Sequence, residues 1–306
     1  MTSSMLRPRG RARTTATAPP AAAAAGSTAP TPILDWRHPR VTALVRRLAA
    51  QADGADGADG ATGADEAAAG PAREAEAADP ARQVEALYRA HRWISSAVRP
   101  VYSVQDERPV SEVLRLGRGS CSQRLAVLES VARASGVATR VRGLLVDGTF
   151  WYPRFPHLRR IVPDQVLLAW PEFRLGDPAG PGGPAGSWLT VSELFGGLRP
   201  LDAGPGEGFT NAGAETLFEA LSRTAIDWDA APACPASGAA SGPDADTGAG
   251  AGAGAGPACD LSAYVLTDLG HYDSRDELFA RHGQTLCPMA RLLAEPVLGR
   301  RAAGAA

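Results

Sequence analysis

Cys121 stands in the run Gly117-Arg118-Gly119-Ser120-Cys121-Ser122-Gln123-Arg124, with Leu116 ahead of it, where a glycine-rich turn gives way to a helical pattern. Apolar residues follow at Leu125, Leu128, Val131 and Ala132, a three-and-four spacing that predicts one buried helical face, and Ser135-Gly136 stops the helix. Cys121 then falls in the first turn, where unpaired backbone N–H groups and the positive end of the helix dipole favour a thiolate over a thiol. A thiolate is a nucleophile, so the chemistry on offer is covalent attack on an amide or thioester. Arg118 and Arg124 flank the turn, where they would lower the thiol pKa further or hold an anionic substrate group. The alternatives are a cysteine packed as a small hydrophobe and arginines that are merely solvated.

The elements needed to position such a thiol follow in order. Val137 to Val146 is rich in β-branched residues and reads as a strand turning at Asp147-Gly148, a hairpin-type dipeptide. Val166 to Phe173 reads as a second strand, with Pro171 pointing to an edge or a bulge, and Ser187 to Ser192 as a third. Upstream, Val84, Leu87, His91, Ile94 and Val98 mark one face of a helix that carries Trp93, and Pro109 to Leu114 forms a short helix leading into the cysteine turn.

Residues 84–143 resemble the transglutaminase-like superfamily nearly throughout: a helix with a tryptophan, a short turn bearing Val and Leu, Gly117-x-Gly119-x-Cys121, a helix, then Gly136-Val137-Ala138-Thr139-Arg140 and a following glycine. The likeness extends over roughly residues 31–200, and the cysteine segment carries most of it. It implies an α+β, papain-like fold in which the cysteine helix packs on an antiparallel sheet, here with disordered insertions and C-terminal helices. The family's second strand reads His-Ala-Trp-x-Glu and its third ends in Trp-x-x-x-Asp, so that cysteine, histidine and aspartate form an acyl-transfer triad.

This chain departs from that pattern. Leu168-Ala169-Trp170-Pro171-Glu172 puts Leu168 at the family's histidine position, and Trp188 to Ser192 puts Ser192 at the aspartate position, with Glu193 on the opposite face of the strand. Leucine takes no proton, and serine cannot stabilise an imidazolium as a carboxylate does. His157, in the loop between the first and second strands, is a substitute base if the strand register differs, and a solvated loop histidine otherwise. His271 is a weaker candidate in the C-terminal segment. The cleft candidates beside Cys121 are Arg118, Gln123, Trp170 and Glu172.

The rest of the 306-residue chain sets bounds. Residues 1–30 read as a disordered basic tail with Arg7, Arg9, Arg11 and Arg13 followed by an Ala-Pro run, which makes a poor signal peptide. Residues 31–233 read as the domain, with flexible insertions at 51–78 and 176–186. Residues 234–258 read as a low-complexity linker, and 259–306 as a C-terminal helical segment packing on the domain. Within it Ser274 is the expected N-cap of a helix with Glu277 at the third position, and Glu215 to Ile226 suggests another helix. Loops of this kind cost closure entropy only logarithmically in length.

Cys234 and Cys259 flank the linker, but with no secretion signal the expected compartment is a reducing, cytoplasmic one, which disfavours a disulfide. No Cys-x-x-Cys or His-x-x-x-His spacing supports a metal, no glycine-rich phosphate loop follows a strand, and no cofactor is expected. Neither nucleic-acid binding nor a membrane span is expected. Two functions remain. One is a degenerate triad kept as a peptide- or partner-binding module, which the strands favour; the other is thiol-dependent acyl transfer or amide hydrolysis by Cys121 on a peptide, protein or acyl-donor substrate.

Overall fold

The computed structural model describes residues 24–56, 79–155, 159, 162–176, 188–195, 199–200, 211, 215–222, 224–225 and 261–300. His157, Cys234, Cys259 and most of the basic tail, the Ala-Asp-Gly linker and the other insertions lie outside the described residues. In chain order the elements are α1 (Pro39–Asp56), α2 (Pro80–Ala97), β1 (Arg99–Pro100), α3 (Val110–Leu116), β2 (Arg118–Gly119), α4 (Cys121–Ala134) and β3 (Ala138–Asp147). A 3-10 turn (Gly148–Arg154) leads to β4 (Gln165–Arg174), β5 (Leu189–Thr190), α5 (Val191–Leu194), β6 (Arg199–Pro200), α6 (Leu217–Ala220) and β7 (Thr224–Ala225). The chain closes with β8 (Val265–Tyr272), α7 (Arg275–His282) and α8 (Pro288–Leu298).

The main sheet has the order β5-β4-β3-β8, antiparallel throughout. Its spine is β3 on β4, in continuous register from Ala138 opposite Arg174 to Asp147 opposite Gln165. β-branched and leucine residues at Val141, Leu144 and Val146 are fully buried and join Leu34, Val41, Leu87, Ile94, Leu128 and Phe173 in one core. Each such side chain contributes about 1.5–3 kcal/mol by leaving water.

The helices start where their caps dictate. Asp79 accepts from the Ala81 amide at 3.1 Å with Pro80 at the first helical position of α2, and Ser274 accepts from the Glu277 amide at 3.1 Å to cap α7. For α4 the cap is reciprocal. Ser120 Oγ accepts from the Gln123 amide at 3.2 Å, and Gln123 Oε1 accepts from the Ser120 amide at 3.0 Å, a capping box that pins Cys121 as the first helical residue.

Several sequence expectations need correction. α4 is not amphipathic: every residue from Gln123 to Arg133 is buried, because α1, α2, α3, α6 and the sheet surround it. Its polar residues are therefore partnered inside the protein. Arg124 pairs with Glu219, Glu129 with Arg275, and Arg133 donates to Thr139 Oγ1, to Thr139 O and to the carbonyls of Ala29 and Asp273.

Asp147-Gly148 is not a two-residue hairpin. Asp147 caps the 3-10 turn by accepting from the Thr149 amide at 2.8 Å, and the chain returns to the sheet only at Gln165. The glycine is required there by close approach, since a Cβ at 148 would lie 1.8 Å from the Pro163 carbonyl oxygen. Gly148→Ala should therefore destabilise the fold by about 2–3 kcal/mol in urea unfolding, the cost of forcing backbone apart in a packed site. A change within a few tenths of a kcal/mol would mean that this approach is not kept in solution.

Pro171 sits in an unbroken register with Val141 rather than at a bulge, and β4 is an interior strand. The proline is tolerated because β5 covers β4 only at Glu172 and Phe173. The expected third strand ends at Thr190, and Ser192 lies in the helical turn α5, so strand alternation does not apply to Ser192 and Glu193. Among the described residues of the expected helix from Glu215 to Ile226, only Leu217–Ala220 is helical, and Thr224–Ala225 pairs with Arg199–Pro200. The C-terminal segment is not helical alone. Its residues 265–272 add an edge strand to β3, which Thr267, Asp268 and Gly270 obscured in the sequence.

Candidate functional site at Cys121

A cavity of about 250 Å³ opens at the N-terminus of α4. That exceeds the roughly 150 Å³ of an apolar cavity able to hold benzene. Its walls are largely apolar: Val101, Tyr102 and Val104 from the segment before α3, Leu125 from α4, Phe150, Trp151 and Phe155 around the 3-10 turn, and Val166 to Trp170 from β4. Leu217, Leu286 and Leu298 complete them. The polar residues on its lining include Ser103, Asp106, Ser120, Cys121, Ser122, Arg154, Asn211 and Thr216.

Among the residues named from the sequence, Cys121, Leu168 and Trp170 line this cavity together. The other cleft candidates do not. Gln123 is fully buried behind the helix start, where its Nε2 donates to Ser103 Oγ at 2.9 Å and to the Gln105 carbonyl at 2.7 Å, tying the 101–108 segment to α4. Arg118 lies in β2, paired in parallel with Arg99 of β1. Arg124 is not a solvated neighbour of the thiol but a buried one, stacked on the Phe218 ring at 4.3 Å.

Glu172 belongs to a cluster on the sheet. Its Oε2 accepts from Arg140 Nε at 2.6 Å and its Oε1 lies 3.1 Å from His271 Nε2. Burial pushes the Glu172 pKa up, but the hydrogen bonds from His271 and Arg140 outweigh it and hold the carboxyl below its ordinary range. His271 is thus engaged by a carboxylate of β4, and neither residue lines the cavity. His157 lies outside the described residues. Among the described residues no histidine lines the cavity at all.

The electrostatics oppose the expected thiolate. Burial pushes the Cys121 thiol up to about 12; the charges of Glu219 and Asp106 push the same way, and Arg124 and Arg275 oppose them. The helix dipole loses because desolvation of the sulfur anion is the larger effect, to which the nearby charges of Glu219 and Asp106 add. Asp106 accepts a hydrogen bond from Ser122, whose Oγ in turn accepts from Arg275 at 3.0 Å. Burial pushes the Asp106 carboxyl up to about 6, against the pull of Arg275, Ser122 and Arg291. Burial raises the thiol to about 12 and the carboxyl only to about 6, so the proton stays on the sulfur and Asp106 is a poor base for Cys121.

Asp106 and Ser122 were not singled out in the sequence. Asp106 sits in the polar run Gln105-Asp106-Glu107-Arg108, whose composition reads as an ordinary loop. It is brought inward because that loop is clamped. Glu295 of α8 accepts from Ser103 Oγ at 2.9 and 3.0 Å, from the Val104 amide at 2.9 Å and from Arg108 at 2.6 Å, and the Asp106 amide donates to Gln284 Oε1 at 3.1 Å. Among the described residues no group of histidine, cysteine, aspartate and glutamate comes together as a metal site, and no helix is long and apolar enough to cross a membrane.

Residues 71–192 match the family model of the transglutaminase-like superfamily. No curated protein and no solved structure matches the chain. The matched span runs from just before α2, through the capped cysteine helix and the β3–β4 pair, to the turn after β5. With a cysteine at the start of a central helix, helices beside an antiparallel sheet and a family match over that same span, this chain carries a transglutaminase-like domain of the α+β class.

Proposed function

We propose that the transglutaminase-like domain of this chain is a binding module: the cleft beside Cys121 and Trp170 takes up a peptide, a partner or a smaller apolar group without turnover. The observation that carries this reading is the chemistry around the sulfur. Cys121 faces a largely apolar cavity, its thiol is pushed up to about 12, and no histidine lines the cavity among the described residues. Leu168 stands where the family's sequence pattern has its histidine, and leucine takes no proton. Ser192, at the pattern's aspartate position, supplies no charge to orient an imidazole.

Acyl transfer is the second reading, favoured by one observation: the cysteine remains at a capped helix start and lines a cavity. The two separate in a turnover assay with a glutamine-containing dipeptide and a dansylated primary amine. The binding reading expects neither ammonia release nor amine incorporation above the level of Cys121→Ala. Release that depends on Cys121 would establish the acyl-transfer reading in its place.

A further inference from the structure

Asp106 differs from the other carboxylates around the cavity in what it faces. Three guanidinium groups lie nearby, each in contact with a different acid, and Arg275 and Arg291 act on Asp106 by charge without touching it. Arg275 is paired with Glu129, Arg291 with Glu107 at 3.3 Å, and Arg108 with Glu295 at 2.6 Å. The described hydrogen bonds and ion pairs give the Asp106 carboxylate a hydroxyl, that of Ser122, and no guanidinium. It lines the largely apolar cavity together with Cys121 and Ser122. The other cationic residue on the lining, Arg154, is already engaged, donating to Asn211 Oδ1 at 2.8 Å and to the Glu215 carbonyl.

Burial outweighs the charges of Arg275 and Arg291 at Asp106, so with no cation in contact its carboxylate stays costly to ionise, and an entering cation with an apolar body relieves that cost while burying its own hydrocarbon. We infer that this cavity is a receptor for small hydrophobic amines, with the ammonium group seated on Asp106 and the hydrocarbon body against Tyr102, Trp151, Leu168 and Trp170. The inference rests on the binding reading above and deepens it by naming the class of ligand. No bond to Cys121 is made or broken. Cys121 contributes a neutral, polarisable wall beside the carboxylate.

The pH dependence follows with a definite sign. Between pH 8 and pH 5 the Cys121 thiol, pushed up by burial, stays neutral. Asp106 is the group facing the ligand that changes, being ionised at pH 8 and protonated below about 6, while an alkylammonium remains charged throughout. Affinity for an amine therefore falls as pH is lowered.

The test is isothermal titration of the full chain with 2-phenylethylamine, 2-phenylethanol and 3-phenylpropanoate, three probes of similar shape that differ in head-group charge. The amine is expected to bind at least tenfold more tightly than the alcohol at pH 8, and the carboxylate most weakly. That advantage should shrink to less than threefold in Asp106→Asn, and in the wild type at pH 5. The wild-type pH series decides the matter even if the variant folds poorly. If the alcohol binds as well as the amine, or the carboxylate binds best, the amine inference is overturned while the binding reading stands. If none of the three binds, the inference and the reading of this cavity as a small-ligand site both fall.

Discussion

At pH 8, Cys121 should alkylate with iodoacetamide on the order of a hundredfold more slowly than a free cysteine. A thiol pushed up to about 12 holds roughly a thousandfold less thiolate at that pH than an ordinary one, and the greater nucleophilicity of the more basic sulfur recovers only one to two decades. Cys287 is exposed and provides the reference thiol within the same molecule, resolved by peptide-level mass spectrometry. The Cys121 rate should climb about tenfold per pH unit up to pH 10 without a plateau, and His157→Ala should leave it unchanged. Fast labelling with a plateau near neutrality, raised in pH on removing His157, would instead identify a thiolate–imidazolium pair and return the acyl-transfer reading. The linkage has the matching sign. Because the folded pKa lies above the unfolded one, the neutral thiol supports the fold fully below about pH 8, and that support is lost as pH rises toward 12.

Arg275→Met should cost about 3–5 kcal/mol in urea unfolding. Arg275 and Glu129 are both fully buried, and burial alone pushes the Glu129 carboxyl up. Removing the guanidinium leaves that acid in the middle of α4 without its counter-charge and cuts the hydrogen bond to Ser122 at the cavity end. The pair Arg275→Met with Glu129→Leu should recover most of the loss, since two apolar residues of similar volume need no mutual neutralisation. A single substitution costing less than about 1 kcal/mol would show that α7 does not depend on this pair to dock against α4. A double variant no better than the single would locate the cost in packing rather than in charge.

The outline of the domain was legible because it depends on local signals. The start of α4 is written in Ser120, Cys121 and Gln123, the strands β3 and β4 in runs of valine and leucine, and the cap of α7 in Ser274 and Glu277, all features that short-range sterics and hydrogen bonding decide. The expectation that Leu168 takes the place of the family's histidine likewise rests on sequence alone. The strand β8 was not legible, because its polar and glycine residues suit an edge strand paired only to β3, and pairing across more than a hundred residues leaves no local trace.

The state of the sulfur was decided by tertiary structure and reversed the local expectation. From the sequence, Cys121 is a helix-start thiol flanked by arginines and should be acidic. In the fold, α4 is buried from Gln123 to Arg133, Arg124 turns to Glu219, and the charges of Glu219 and Asp106 act against a thiolate. Residue type and spacing determine which groups a chain offers and which helix presents them. How far each is removed from water, and which charge lies beside it, depends on segments such as 101–108, α7 and α8 that meet Cys121 only after folding, and desolvation is the larger energy.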